Sequence, residues 1–150
     1  MKRVPELRDL SDDHHTSLVL ARRCRQAGRA GFVSSPEVVW NQVLEAFSSH
    51  LEPHFRIEEE HLLPALEAIG EASLASRIRE DHSALRALRA SEAPVRTLIA
   101  QFGGLLESHI RFEERQVFEP TQDRLPARTL KAIAAACRTT SRICSASLEP

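Results

Sequence analysis

Apolar residues return along most of this chain at the three- and four-residue spacing of amphipathic helices, in stretches separated by proline, glycine and serine. Leu10, Leu18 and Ala21 share one face of a first stretch. Ser11 can cap its start, Asp12 and Asp13 suit its first turn, and it runs to the break from Gly28 to Gly31. A second helix is predicted from Ser35 as N-cap and Pro36 at the first helical position, through Val38, Val39, Val43, Leu44 and Phe47, to an end near Pro64 to Gly70. Pro53 falls inside it, which predicts a kink that aims His54. A third helix covers about Glu71 to Ala90 and a fourth about Pro94 to Glu119. Gly103 and Gly104 lie inside the fourth, where they lower helix propensity and permit close helix approach. Ala127, Leu130, Ile133 and Ala134 after Pro126 predict a short C-terminal helix. The expected fold class is all-α, an up-down four-helix bundle over about residues 10–120 with an extension over about 126–150.

A chain of 150 residues suits one domain with one core and one site. Core-type residues make up 42 %, aromatics only 5 %, and tyrosine is absent, which favours packed Leu, Ala and Val helices over a sheet. Trp40, Phe47, Phe102 and Phe118 fit core positions and require no cofactor. Twenty basic residues against 21 acidic ones leave a net charge of -1, so no global field draws the protein to nucleic acid or to an anionic membrane. Met1 to Asp13 does not resemble a signal peptide and no apolar run is long enough to span a bilayer, so a cytoplasmic protein is expected. Cys24, Cys137 and Cys144 form no Cys-x-x-Cys pair and are expected to be reduced bystanders.

The most informative pattern is an internal repeat. His54-Phe55-Arg56-Ile57-Glu58-Glu59 matches His109-Ile110-Arg111-Phe112-Glu113-Glu114 at an offset of 109 − 54 = 55 residues. Each copy runs on into apolar residues and a proline, Leu62-Leu63-Pro64 and Val117-Phe118-Glu119-Pro120, with one residue inserted in the second. Residues four apart project from one helix face, so His54 with Glu58, and His109 with Glu113, each present an imidazole and a carboxylate together. Helical bundles build two-metal sites in their cores from such inward-facing pairs, with further ligands from the other helices. Helix three offers His82 and helix one offers His14 or His15. His14 shares its face with Leu10, Leu18 and Ala21, and His15 shares its face with Ser11 and Arg22. Against that, aligning His15 with His82 superposes Leu18 on Leu85, so the choice stays open and periodicity favours His14. His61, seven residues after His54, is a surface histidine or a further group at the site, and His50 is a weaker candidate still. Glu59 and Glu114 point about a quarter turn away from the ligand face and are expected in solvent, paired with Arg56 or Arg111.

The doubled His-x-Arg-x-Glu-Glu with its apolar-Pro turn, preceded in each half by a His-bearing helix, resembles the hemerythrin-like domains with the HHE cation-binding pattern, over roughly Leu10 to Pro120. The resemblance implies a di-iron centre in a hemerythrin-like bundle. Its metal ligands would be His14, His54, Glu58, His82, His109 and Glu113, with both glutamates bridging two Fe ions that also share an oxo or hydroxo group. It also implies binding or sensing of oxygen, peroxide or nitric oxide. Oxygen-carrying hemerythrins have a second histidine four residues after the third-helix one, where this chain has Arg86, and an aspartate five after the fourth-helix histidine, where it has Glu114. These departures argue against simple reversible oxygen carriage.

Imidazoles and carboxylates without thiolate suit iron, manganese or zinc, and a carboxylate-bridged pair favours iron, then manganese. There is no His-Glu-x-x-His sequence to favour zinc hydrolysis. No separate acid-base pair or nucleophile stands out, so a protein that binds or senses a small diatomic or peroxide ligand ranks first. The alternatives are a di-iron enzyme that decomposes peroxide or counters nitrosative damage, and an iron-handling domain without turnover. The tail, with Arg128, Lys131, Arg138 and Arg142 among Ala and Ile, could cover the bundle, dimerise or simply cap it, and the protein as a whole could act with a protein partner or as a homodimer.

Overall fold

The computed structural model describes residues 2–27, 29, 31 and 34–146, with side chains as far as 140, and every regular element among them is helical. A 3-10 turn, Pro5–Leu7, leads into α1, Arg8–Gln26. Then follow α2 over residues 36–68, α3 as Ala72–Ala90, α4 over residues 95–121 and α5 as Ala127–Ala146. Gly28, at the expected break after α1, and the side chains of Arg142 and Cys144 lie outside the described residues.

Local chemistry accounts for most of the boundaries. Ser35 caps α2 as expected, its Oγ accepting the Val38 N–H at 3.3 Å, and Gly70, at φ 88°, turns the chain out of α2 into α3. The start of α1 differs from the expectation. It begins at Arg8, and Ser11 caps nothing, because its hydroxyl donates instead to Glu114 Oε1 at 2.8 Å.

The prolines inside α2 and α4 do not break them. Each follows a widened π stretch: Phe47–Leu51 before Pro53, Glu58–Leu62 before Pro64, and Glu113–Phe118 before Pro120. After each stretch a backbone N–H reaches back five residues rather than four: Glu52 to Phe47, Leu63 to Glu58 and Glu119 to Glu114. The extra residue in the turn relieves the clash a proline ring makes with the carbonyl four before it. The repeat's inserted residue is also absorbed here, since the π stretch has five residues in the first copy and six in the second.

α1 packs along α4, which also meets α3 and the first part of α2. At Gly103 of α4 a Cβ would stand 2.8 Å from Cys24 Cβ and 3.1 Å from the Ala21 carbonyl oxygen, so the glycine permits the close approach to α1. Two separate apolar clusters make the core. One gathers Leu7, Leu10, Leu62, Leu66, Ile78, Phe112, Val117 and Phe118, and the other Ala21, Val43, Phe47, Phe55, Leu85, Phe102, Leu106 and Ile110. Chain order through them alternates: α1 and α3 run from the first cluster to the second, and α2 and α4 from the second to the first. The C-terminal helix is longer than expected, at 20 residues, and it buries Ile133 and Cys137 in the first cluster. Among the described residues no helix is long and apolar enough to cross a membrane.

Candidate metal centre

Between the two apolar clusters the helices insert a layer of buried polar groups. His14, His54, Glu58, His82, His109 and Glu113 are all at most 5 % exposed. Residues 54 and 58 share a face of α2, as 109 and 113 share one of α4, while α1 and α3 each contribute one imidazole. Their donor atoms form two groups, His14, His54, Glu58 and Glu113, and Glu58, His82, His109 and Glu113. Within each group the atoms lie within 4.8 Å of one another, and both groups contain Glu58 and Glu113.

Outward, every imidazole is held by a carboxylate at Nδ1. His14 meets Glu114 at 2.7 Å, His54 meets Asp13 at 3.2 Å, His82 meets Glu59 at 2.8 Å and His109 meets Asp81 at 3.2 Å. An ionised carboxylate only accepts, so Nδ1 carries the hydrogen and, in the neutral ring, Nε2 turns its lone pair inward. There the Nε2 atoms of His14 and His54 face each other at 3.1 Å. Nε2 of His54 lies 3.1 Å from Glu58 Oε1, and that of His14 lies 3.1 Å from Glu113 Oε2. Across the layer, His82 Nε2 is 3.2 Å from Glu58 Oε2. Yet both oxygens of Glu58 and of Glu113, with Nε2 of His82 and of His109, have no hydrogen-bond partner. Six buried donor atoms that converge without hydrogen-bond partners, in a site closed to water, are suited to holding cations between them. The residues therefore fit a pair of metal ions.

The outer carboxylates are themselves braced. Arg86 holds Glu59 through Nη1 at 2.8 Å and Glu52 through Nε at 2.9 Å, and Arg3 holds Glu114. The expectation that Glu59 and Glu114 face solvent beside Arg56 or Arg111 is therefore overturned. Those two arginines pair with Glu52 and Glu107 on their own helices, and the glutamates turn inward because a buried imidazole N–H needs an acceptor. Aromatic rings close the layer, Phe55 stacked on His82 at 3.9 Å and Phe118 on His14 at 5.3 Å.

Charge follows from this packing. Burial alone lowers the His14 and His54 imidazoles, but the carboxylates around them prevail, raising His14 well above the ordinary value and His54 to about 9. His82 moves the same way under Glu58. Glu114, against its own burial, is drawn down to about 2 by His14, Ser11 and Arg3. Without metal His14, His54 and His82 therefore hold protons in the places where cations fit.

Of the residues expected from the sequence, the structure brings His14, His54, Glu58, His82, His109 and Glu113 into this one layer. His15 is exposed. His50 is exposed as well, and His61, partly exposed, stands 4.0 Å from Glu60, in neither donor group. Sequence reasoning missed Asp13 and Asp81 as imidazole partners. The signal was the Asp-His dipeptide, present as Asp13-His14 and again as Asp81-His82. Aligning those dipeptides would also have favoured His14 over His15.

An all-helical protein with a buried His/Glu cluster fitted to cations is the class that fold and site define together. The family model of the hemerythrin HHE cation binding domain matches residues 6–121, and the chain belongs to that family of metal-binding domains. Neither the curated proteins nor the solved structures yield a match.

Proposed function

We propose that the protein is a non-haem di-iron protein that binds or senses oxygen, peroxide or nitric oxide. His14 and His54 would ligate one iron, His82 and His109 the other, with Glu58 and Glu113 bridging. The observation that carries this reading is that two four-donor groups share those two glutamates. At about six donors per metal, four imidazoles and two bridging carboxylates supply about eight of about twelve positions, and a bridging hydroxide about two more. About two remain for a small ligand. Bound iron supplies Lewis acidity and one-electron chemistry at those positions.

The chain's own residues do the rest. Glu114, Asp13, Glu59 and Asp81 hold each Nδ1–H, which fixes the tautomer and aims Nε2. Phe55 and Phe118 keep bulk water from the imidazole faces. Arg86 stands four residues after His82 and is spent on Glu52 and Glu59, so it adds no ligand. The two carboxylates shared by both donor groups favour iron or manganese over zinc.

The same reading takes the chain as a single cytoplasmic domain. Its first four helices form an up-down bundle, supported by their alternating order through the two apolar clusters. It needs neither nucleic acid nor membrane, and any protein partner or second copy would act on the state of the centre.

The test is metal content per chain after aerobic, iron-replete growth, followed by mixing with nitric oxide and with peroxide. About two irons per chain and a ligand-dependent spectral change without turnover are expected. Sustained peroxide consumption would move the protein to the enzyme reading, and trace metal would end both.

A further inference from the structure

The two halves of the centre are related by the repeat, and their outer faces differ at one point. An offset of 81 − 13 = 68 carries Asp13-His14 onto Asp81-His82, and the same offset carries Asp9 onto Arg77. On the α3 side Arg77 covers the Asp81–His109 pair. Its Nε is 3.8 Å from Asp81, its guanidinium lies 3.9 Å above the Phe112 ring, and the Asp81 side chain is 17 % exposed. On the α1 side an aspartate stands in place of that arginine, and the Asp13 side chain is 52 % exposed. The 55-residue offset likewise sets His50 against Leu105.

A cavity of about 270 Å³ opens on this uncovered side, lined among others by Asp9, Asp13, His50, His54, Cys137 and Thr140. The wall supplied by Cys137 and Thr140 belongs to α5, beyond the residues the family model matches. His54, the most exposed of the six central residues at 5 %, forms its floor. The cavity thus joins solvent to the buried layer through a side chain that belongs to both. Burial, and after it the charges of Asp13, Asp9 and Glu58, push the Cys137 thiol up to about 12, so the wall beside the carboxylates carries an uncharged thiol.

We propose that the Asp9–Asp13–His50 mouth above His54 is the port at which a hard divalent cation is captured on its way to the buried centre. Two carboxylates in a recess concentrate cations and raise their rate of arrival. An imidazole beside them offers a further donor while the hydration shell is shed. Arg77 makes the equivalent face of the other half unfit for the same task by covering its carboxylate with a positive charge. The assignment rests on the proposed metal centre, and it is tested by a rate rather than by activity.

Metal-free protein is mixed with Co²⁺ and loading is followed by visible absorption, at low and at high salt. Asp9→Arg, which gives the open side the arginine of the closed side, should slow uptake about tenfold at low salt and abolish most of its salt dependence. Asp9→Asn should slow uptake less. Both should reach the wild-type final cobalt content, and Glu92→Gln, the charge change of Asp9→Asn at an exposed site elsewhere, should load at the wild-type rate. Asp9 is itself exposed, so neither variant disturbs the core. Wild-type rates in both Asp9 variants with full loading would overturn the port and leave the centre standing. Absence of loading in the wild type would overturn both.

Discussion

The unit from which the centre is built is an imidazole with a carboxylate on each side, one bonded to Nδ1 and one facing Nε2. This separates two kinds of glutamate that are adjacent in sequence. Glu58→Ala or Glu113→Ala removes oxygens that belong to both donor groups, and most of the metal should be lost. Glu59→Ala or Glu114→Ala leaves both donor groups intact and removes the acceptor of a His82 or His14 N–H, together with its contact to Arg86 or to Arg3 and Ser11. Stoichiometry at saturation should survive while affinity falls about 10- to 100-fold. Competitive titration against a chelator distinguishes the two, and equal metal retention in all four variants would refute the assignment. Protons compete for the same places. In the metal-free protein His54 is raised to about 9, so the stability its proton contributes is complete below the ordinary histidine value of about 6.5 and is lost as pH rises through 9. Glu114 is lowered to about 2, so its contribution is present above the usual carboxylate range and is lost as pH falls toward 2. The metal-free melting temperature should therefore be highest between about pH 4.5 and 6.5 and fall toward pH 9, while metal affinity rises over that same upper range as the imidazoles release their protons. A metal-free Tm that climbs from pH 6.5 to 9 would contradict the protonated layer.

At the scale of the element, helix starts and stops were legible where one residue decides them. Ser35 with Pro36 and Gly70 are such cases. The start of α1 was not legible, because Ser11 has the chemistry of a cap and is claimed by a glutamate more than a hundred residues away, a contact no local pattern contains. His54, Glu58, His109 and Glu113 stood out because i, i+4 spacing is local and the repeat doubled the signal, whereas His82 rested on helix order and His14 over His15 on periodicity alone. Of the outer partners, Asp13 and Asp81 left a signal in the repeated Asp-His dipeptide, but Glu59 and Glu114 left none, since an exposed ion pair and a buried acceptor look alike in sequence until the neighbouring helix is in place. Pro53 called for a local irregularity, and the chain widens by one residue ahead of it, as it does ahead of Pro64 and Pro120. The adjacent glycines of α4 supply a test of helix approach. Gly103→Ala places a Cβ 2.8 Å from Cys24 Cβ and should destabilise by about 1–3 kcal/mol. Gly104→Ala meets nothing within 4 Å and should stabilise by about 0.5–1 kcal/mol through helix propensity alone. Chemical denaturation of both variants in parallel separates packing from propensity.

Across the whole molecule, apolar clusters lie on either side of a layer that contributes no hydrophobic stabilisation of its own. In the metal-free protein only imidazole protons offset the burial of the Glu58 and Glu113 oxygens, so the layer stabilises the fold less than an apolar layer would. Cations change that by giving the same atoms partners that the unfolded chain cannot hold in place. Binding to the folded state alone adds about 2.7 kcal/mol at a free metal concentration 100 times Kd, which for a chain near this size raises Tm by about 5–10 °C. Calorimetry of the protein with Fe²⁺ under anaerobic conditions, and with a chelator, should show that difference. Because both donor groups share Glu58 and Glu113, the first ion organises half of the second site, and loading should pass from zero to two metals per chain with little of the singly loaded form. Native mass spectrometry at half-saturating metal reads this directly: a dominant one-metal species would mean that the two groups bind independently and that the shared glutamates do not couple them.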